Sequence, residues 1–195
     1  MRFLNQNDLK SAIEVLEQGD ILGVPTETVY GLAVKADDEK AIQKLMDLKN
    51  RQIGSGKVLT MMVADVDQID SYAYLTTAQR HLARHYFPGE LTLILPKLRS
   101  FKHPYFNHFK TIGIRIPEHK YMLKLLRVTG PLLVTSANPR GEAPCRNAKE
   151  VAKRLPSLIA VVKGEAGGNL PSTIIDFSEG IPQLVRQGGL LIVRY

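Results

Sequence analysis

The segment Val24-Pro25-Thr26-Glu27-Thr28-Val29-Tyr30-Gly31-Leu32 leaves the apolar run Ile21-Leu22-Gly23-Val24 and breaks at once at Pro25. A short apolar run bounded by a turn signal reads as a buried strand. Proline removes a ladder N–H, so the chain must turn there. The hydroxyls of Thr26 and Thr28 and the Glu27 carboxylate therefore sit at a strand end. Gly31 allows close backbone approach or a positive φ beside them. Farther on, Ile42, Leu45, Met46 and Lys49 share one helical stripe, so a helix over residues 38–49 ends by presenting Lys49 and Arg51. Cations at a helix C-terminus also complement the macrodipole. Taken alone, the pair reads as a solvated helix end.

A second apolar run, Leu132-Leu133-Val134, empties into Thr135-Ser136-Ala137-Asn138-Pro139-Arg140-Gly141. In open α/β sheets, ligands lie where strands end and loops begin. Two strand ends rich in hydroxyls and amides, with two cations nearby, suit a substrate that carries both anionic and hydrogen-bonding groups.

The rest of the chain extends this pattern. Leu9, Ile13 and Leu16 predict a helix over 7–18, with Asn7 as N-cap and Gly19 as stop. Strands are expected at 20–24, 32–34, 59–63, 91–95, 111–116, 132–134 and 158–162, with further strands between 172 and 193. Helices are expected at 38–49, from Thr76 or Thr77 to Phe87, at 119–129, and from an Asn147 cap to Leu155. Residues 96–110 form a long polar and aromatic connection, of a length usually functional or mobile. In Thr111-Ile112-Gly113-Ile114-Arg115-Ile116 the alternation puts Arg115 on the face opposite Ile114, where the plain reading is an exposed strand cation. The Gly-rich stretch 164–171 matches neither a Walker P-loop nor a dinucleotide fingerprint. The whole reads as an α/β sheet of mixed direction flanked by helices.

The 195 residues suit one domain spanning 1–195. No apolar run approaches the length of a membrane span, and the start turns polar too early for a signal peptide. With a lone Cys145 excluding an internal disulfide, the expected location is the cytoplasm, with no membrane association. Lys and Arg number 26 against 19 Asp and Glu, a formal charge of +7. A basic balance suits nucleotide or RNA. Cations interleave with Phe101, Tyr105, Phe106 and Phe109 over residues 97–110. No Ser-His-Asp or Cys-His signature appears, so no covalent enzyme intermediate is expected.

The motif at 25–32, the Lys-x-Arg at Lys49 and Arg51, the Ser-x-Asn at Ser136 and Asn138, and Pro171-Ser172-Thr173-Ile174-Ile175-Asp176 together resemble the YrdC-like (TsaC-type) L-threonylcarbamoyladenylate synthases. The matches run in order from about residue 10 to Arg186, nearly the whole chain. The resemblance implies a YrdC-like twisted mixed sheet flanked by helices, with a basic concave groove. It implies condensation of L-threonine, bicarbonate and ATP into threonylcarbamoyl-AMP with release of pyrophosphate. Mg2+ would accompany ATP, with no metal ligands assigned in the protein. The product would serve threonylcarbamoyladenosine modification of tRNA through separate threonylcarbamoyl-transfer proteins.

Carried over position by position, Lys49 and Arg51 are the implied catalytic cations, on phosphate or carbamate. Arg51, Lys57, Thr111, Asn138, Arg146 and Arg186 would bind ATP. Thr28, Arg115, Ser136 and Ser172 would bind threonine, with Thr26 a neighbour and Arg115 pairing the carboxylate in a fork. Gln52 stands where the family usually has Pro, Met62 where many relatives have His, and Arg140 where Ser is usual. The alternative is a non-catalytic protein of the same fold that binds double-stranded RNA or tRNA through phosphate contacts. Such a binder has no need of Lys49, Arg51, Ser136 and Asn138 together. The related domain of hydrogenase maturation proteins sits in longer chains with zinc-finger segments, which a single cysteine does not suit.

Overall fold

Residues 1–54 and 58–192 are described by a computed structural model. The apolar runs become strands: β1 (Arg2–Leu4), β2 (Leu22–Val24), β3 (Gly31–Lys35), β4 (Thr60–Met62), β5 (Leu91–Pro96), β6 (Thr111–Arg115), β7 (Leu132–Ser136), β8 (Ala160–Val162), β9 (Thr173–Asp176) and β10 (Gln183–Arg186). The 3.6-residue stripes become α1 (Leu9–Glu17), α2 (Glu39–Leu48), α3 (Thr77–Tyr86), α4 (Lys120–Thr129) and α5 (Ala148–Arg154). The strands join in one sheet in the order β1-β8-β2-β3-β7-β4-β6-β5-β9-β10. Its pairings are mixed, parallel at β1/β8, β2/β8, β4/β6 and β5/β9 and antiparallel elsewhere. Among the described residues, no helix is long and apolar enough to cross a membrane.

Helix ends follow side-chain chemistry. The Asp38 carboxylate accepts from the Ala41 amide, and Thr76 with Gln79 forms a capping box at α3. Asn147 accepts from the Glu150 amide at α5. At α1 the cap is Asp8, which accepts from the Ser11 amide, so the cap lies one residue after the expected Asn7. A carboxylate is an equally good cap and here lies in register with the first orphan N–H groups.

Strand alternation decides which face each residue serves. Leu91, Leu93 and Leu95 of β5, Ile112 and Ile114 of β6 and Ile175 of β9 join residues of α2, α3 and α5 in one core. On the opposite face, α1 and α4 pack over Leu4, Leu22, Ala33, Leu132, Val134 and neighbouring residues. That second cover reaches the β1 side of the sheet and extends to Val134 and Met62. Beyond them, Thr92, Ile94, Gly113, Arg115 and Ile174 point to the same face and line a cavity instead of a helix.

Three departures from the sequence reading have plain causes. β1 was not anticipated, because three residues carry no period, and it forms by parallel pairing to β8. The expected last strand is not formed at 190–192, where Leu190 supplies its carbonyl to the Thr173 hydroxyl; residue 193 lies outside the described residues. The 96–110 connection is packed rather than open. Tyr105 and Phe106 are buried edge to face at 4.9 Å, and the Tyr105 hydroxyl accepts from the Leu59 amide at 2.8 Å. These aromatics belong to the core and offer no stacking surface to a base.

The Gly-rich stretch braces the motif turn. Gly167 N donates to Thr26 O, and Gly168 N donates to Thr28 O, each at 2.9 Å. A Cβ on Gly167 would lie 2.7 Å from the Glu27 carbonyl oxygen and 2.9 Å from its Cα, both backbone atoms. Gly167→Ala is therefore expected to push back the 25–29 turn and to destabilise the fold by about 1–3 kcal/mol, read as a lower urea midpoint at unchanged slope.

Candidate active site

A cavity of about 1040 Å3 opens on the uncovered face of the sheet. Its floor comes from alternate residues of β4, β6, β5 and β9, and its walls from the turns after β2 and β7 and from the end of α2. The site is thus laid across the sheet face, and only its walls are strand ends. Lys49, Arg51, Thr111, Asn138 and Arg186 line it, as do Thr26, Thr28, Arg115, Ser136 and Ser172. Arg146 is exposed and is not among the lining residues; its backbone N–H donates to Glu150. Lys57 lies outside the described residues.

Lys49 ends α2 as its C-cap, yet it is only 1% exposed. The plain reading of a solvated cation fails here. Its ammonium donates to the Ser136 carbonyl at 3.0 Å, to the Asn138 side-chain oxygen at 3.1 Å and to the Asn138 carbonyl. A buried ammonium must find such oxygens, and these three belong to the last residue of β7 and the turn that follows it. Asn138 is used just as fully. Its Oδ1 accepts from the Ser136 hydroxyl at 2.6 Å, while Nδ2 donates to the Pro139 and Glu142 carbonyls. Lys49 and Asn138 therefore build the wall, and the hydroxyl of Ser136 is fixed by it.

Asn50 takes a left-handed φ of 48° between the two cations, a conformation asparagine tolerates better than most residues. Arg51 then faces the cavity, with Nη1 at 3.5 Å from the Thr135 hydroxyl. Partial burial, and less strongly the Arg140 charge, hold its guanidinium below its ordinary pKa, while Tyr105 acts the other way. The group stays cationic, since the starting value is so high.

Arg115 lies on the β6 face opposite Ile114, as the alternation predicts, but it is 5% exposed rather than a surface cation. Its Nη2 donates to the Glu27 carboxylate at 2.7 Å and to the Thr28 hydroxyl at 2.8 Å. The Thr28 hydroxyl also pairs with that of Thr26, which donates to the Val29 carbonyl or to Thr28 itself. Arg115 Nε and Glu27 Oε2 are buried with no hydrogen-bond partner among the described residues. Across the floor, Arg186 Nε donates to the Ser172 carbonyl and Nη2 to its hydroxyl, and Ser172 pairs with Thr92 at 2.7 Å.

Gly31 serves close approach and not a positive φ. It pairs with Ser136 across the sheet, and a Cβ there would meet Val134 at 2.8 Å. Tyr30 is fully buried, and its hydroxyl donates to the Val162 or Gly164 carbonyl; burial pushes its pKa well above the ordinary range. Sequence reasoning missed Glu27 as the partner of Arg115, and Thr92 altogether. Thr92 carried a signal: it is the polar position among Leu91, Leu93, Ile94 and Leu95 of a buried strand. The described lining holds Arg51, Arg115, Arg140, Arg186 and Lys49 against one carboxylate, Glu142, so the groove is basic. Among the described residues, no group of three or more His, Cys, Asp or Glu is placed to hold a metal ion.

A family model described as telomere recombination, that of the Sua5, YciO and YrdC proteins, matches residues 14–188. The chain belongs to the Sua5/YciO/YrdC family. A threonylcarbamoyl-AMP synthase of Escherichia coli O1:K1 / APEC is 34% identical over 190 residues, covering 95% of this chain and 98% of its own. The structure of P. abyssi Sua5 complexed with L-threonine superposes with a TM-score of 0.89 at 30% identity, over 97% of this chain and 58% of that one. E. coli YciO shares the fold at a TM-score of 0.86 and 24% identity, over 96% of each chain. The YrdC-like mixed sheet and basic groove expected from the sequence are thus both present.

Lys49→Met keeps the stem of the side chain and removes the ammonium, so the Ser136 and Asn138 oxygens lose their charged donor. A loss of about 3 kcal/mol in unfolding free energy is expected by denaturant titration. A loss below about 1 kcal/mol would place the ammonium outside the architecture of the wall.

Proposed function

We propose that this chain is an L-threonylcarbamoyl-AMP synthase, joining L-threonine, bicarbonate and ATP with release of pyrophosphate. One observation carries the reading: Lys49, Arg51, Ser136 and Asn138 meet Arg115, Thr28 and Ser172 in one basic cavity. A pure RNA-binding surface has no use for that convergence. The name of the E. coli relative and the L-threonine complexed with P. abyssi Sua5 support it.

The chemistry asks for charge more than for a nucleophile. The threonine amine bonds to the carbon of bicarbonate, which loses an oxygen as water and becomes a carbamate. A carbamate oxygen then bonds to the α-phosphorus of ATP, the bond from that phosphorus to the bridging oxygen breaks, and pyrophosphate leaves with the electron pair. Negative charge grows on the phosphate oxygens, where fixed guanidinium groups are most effective. Arg51 supplies such a group at the cavity wall, and Arg186 and Thr111 line the same space. Lys49 acts from beneath, holding the Ser136 hydroxyl and the turn at 136–138. Arg115 receives the threonine carboxylate, with Glu27 and Thr28 fixing its plane from one side. Thr28, Ser136 and Ser172 offer hydroxyls for the rest of the amino acid.

The described lining offers one carboxylate, Glu142, and that one is engaged by Arg154. Magnesium belongs with ATP, as the counter-ion of its phosphates. The product is a reactive mixed anhydride, so it goes directly to transfer proteins that place the threonylcarbamoyl group on tRNA.

Pyrophosphate release from ATP with magnesium and bicarbonate tests the reading, with and without L-threonine and against serine and glycine. Threonine-dependent release is expected. Release with no amino acid, or none with any, would overturn it, and salt-sensitive tRNA binding in the second case would favour the RNA-binding alternative. Arg51→Ala is expected to lower turnover by about 100-fold or more while the melting temperature stays within about 2 °C. Unchanged turnover would remove Arg51 from the reaction.

A further inference from the structure

Arg140 lines the same cavity as Arg51 but comes from a different element, the turn after β7. Its guanidinium folds back over the end of α2, where Nη1 donates to the Asn50 carbonyl at 3.0 Å. Asn50 lies between the two cations of the Lys49-Asn50-Arg51 segment, so this single bond ties the exposed Arg140 guanidinium to the backbone beside the half-buried Arg51. The two like charges act on each other, and Arg140 is one of the causes that depress the Arg51 pKa. Glu142 does not neutralise them, because its carboxylate is engaged by Arg154 at 2.8 Å. Bringing two guanidinium groups together costs Coulomb energy that an anion of more than one charge recovers. The Asn50 bond uses one Arg140 donor and leaves a planar fork for phosphate oxygens.

We infer that Arg140 is a further phosphate-binding residue, which grips the pyrophosphate-bearing end of ATP together with Arg51. The identity of the anion rests on the synthase reading; the pairing of cations does not. Arg140 is attached to the turn that Lys49 holds, so the site grips polyphosphate from two elements, α2 on one side and the β7 turn on the other. Arg51 serves the α-phosphate where the bond forms, and Arg140 serves the leaving half. Its contribution accordingly appears in binding of ATP and pyrophosphate, and hardly at all in binding of AMP or L-threonine.

Equilibrium binding of ATP, pyrophosphate, AMP and L-threonine is measured for the wild type, Arg140→Ala, Arg140→Lys and the control Arg127→Ala on the exposed side of α4. Arg140→Ala is expected to weaken ATP and pyrophosphate about tenfold, with AMP and threonine changed less than about twofold. Arg140→Lys is expected to restore part of the loss, and Arg127→Ala to bind like the wild type. Wild-type affinity of Arg140→Ala for pyrophosphate would overturn the inference and leave the synthase reading intact. Equal loss in Arg127→Ala would also overturn it, because the effect would then be general charge. Strong pyrophosphate binding by the wild type without threonine-dependent turnover would sink the synthase reading alone, whereas no binding of either ATP or pyrophosphate would sink both.

Discussion

A fully buried ammonium group cannot remain unsatisfied, and Lys49 finds its oxygens on the turn that ends β7. That requirement joins two segments 87 residues apart in the chain. The end of α2 and the end of β7 must then keep a fixed separation. Arg51 and Arg140, one on each segment, inherit their positions from it. Asn138 extends the arrangement inward, taking the Ser136 hydroxyl and the Glu142 carbonyl into the same network. Such a network is sharply dependent on every member, because a buried polar group that loses its partner is penalised more than the bond was worth.

The cavity exists because one sheet face is only partly covered. α1 and α4 close the part that carries β1, β8, β2, β3 and β7. Across β4, β6, β5 and β9 the same face is left to Thr60, Thr92, Gly113 and Arg115. This stretch is neither a covered core nor a plain solvated face, since it mixes hydroxyl, glycine and guanidinium positions with apolar ones. The opposite face of the same strands is apolar apart from Thr173, so each strand serves a core and a site at once.

Much of this was legible in the sequence, for physical reasons that differ by element. The helix stripes at α2, α3 and α4 and their caps are local signals, and they appear where periodicity places them. The strands carrying Leu91, Ile112 and Leu132 are short apolar runs bounded by turns, which also read locally. Strand order, the mixed pairing and β1 depend on contacts between distant segments and leave no local mark. At the site, the alternation of β6 gave the side of Arg115 but not its burial, because burial is set by the neighbouring strands and by Glu27. The bland reading of Lys49 as a helix-end cation was reasonable from local sequence and fails only because the β7 turn lies over it. The pairing of Glu27 with Arg115 and of Thr92 with Ser172 was hidden for the same reason: each joins residues 80 or more apart in the chain.

The hydrogen bonds between the Gly-rich stretch and the motif turn run from main chain to main chain. Contacts of that type carry no information about side chains. The turn at 25–29 is held from outside by these bonds and from within by the Thr26 hydroxyl on the Val29 carbonyl, while the stretch that braces it is constrained where a Cβ would collide. In a lineage exploring other amino-acid substrates, the side chain of Glu27 can change without loss of those main-chain bonds, whereas Thr26 and the two glycines belong to the frame itself.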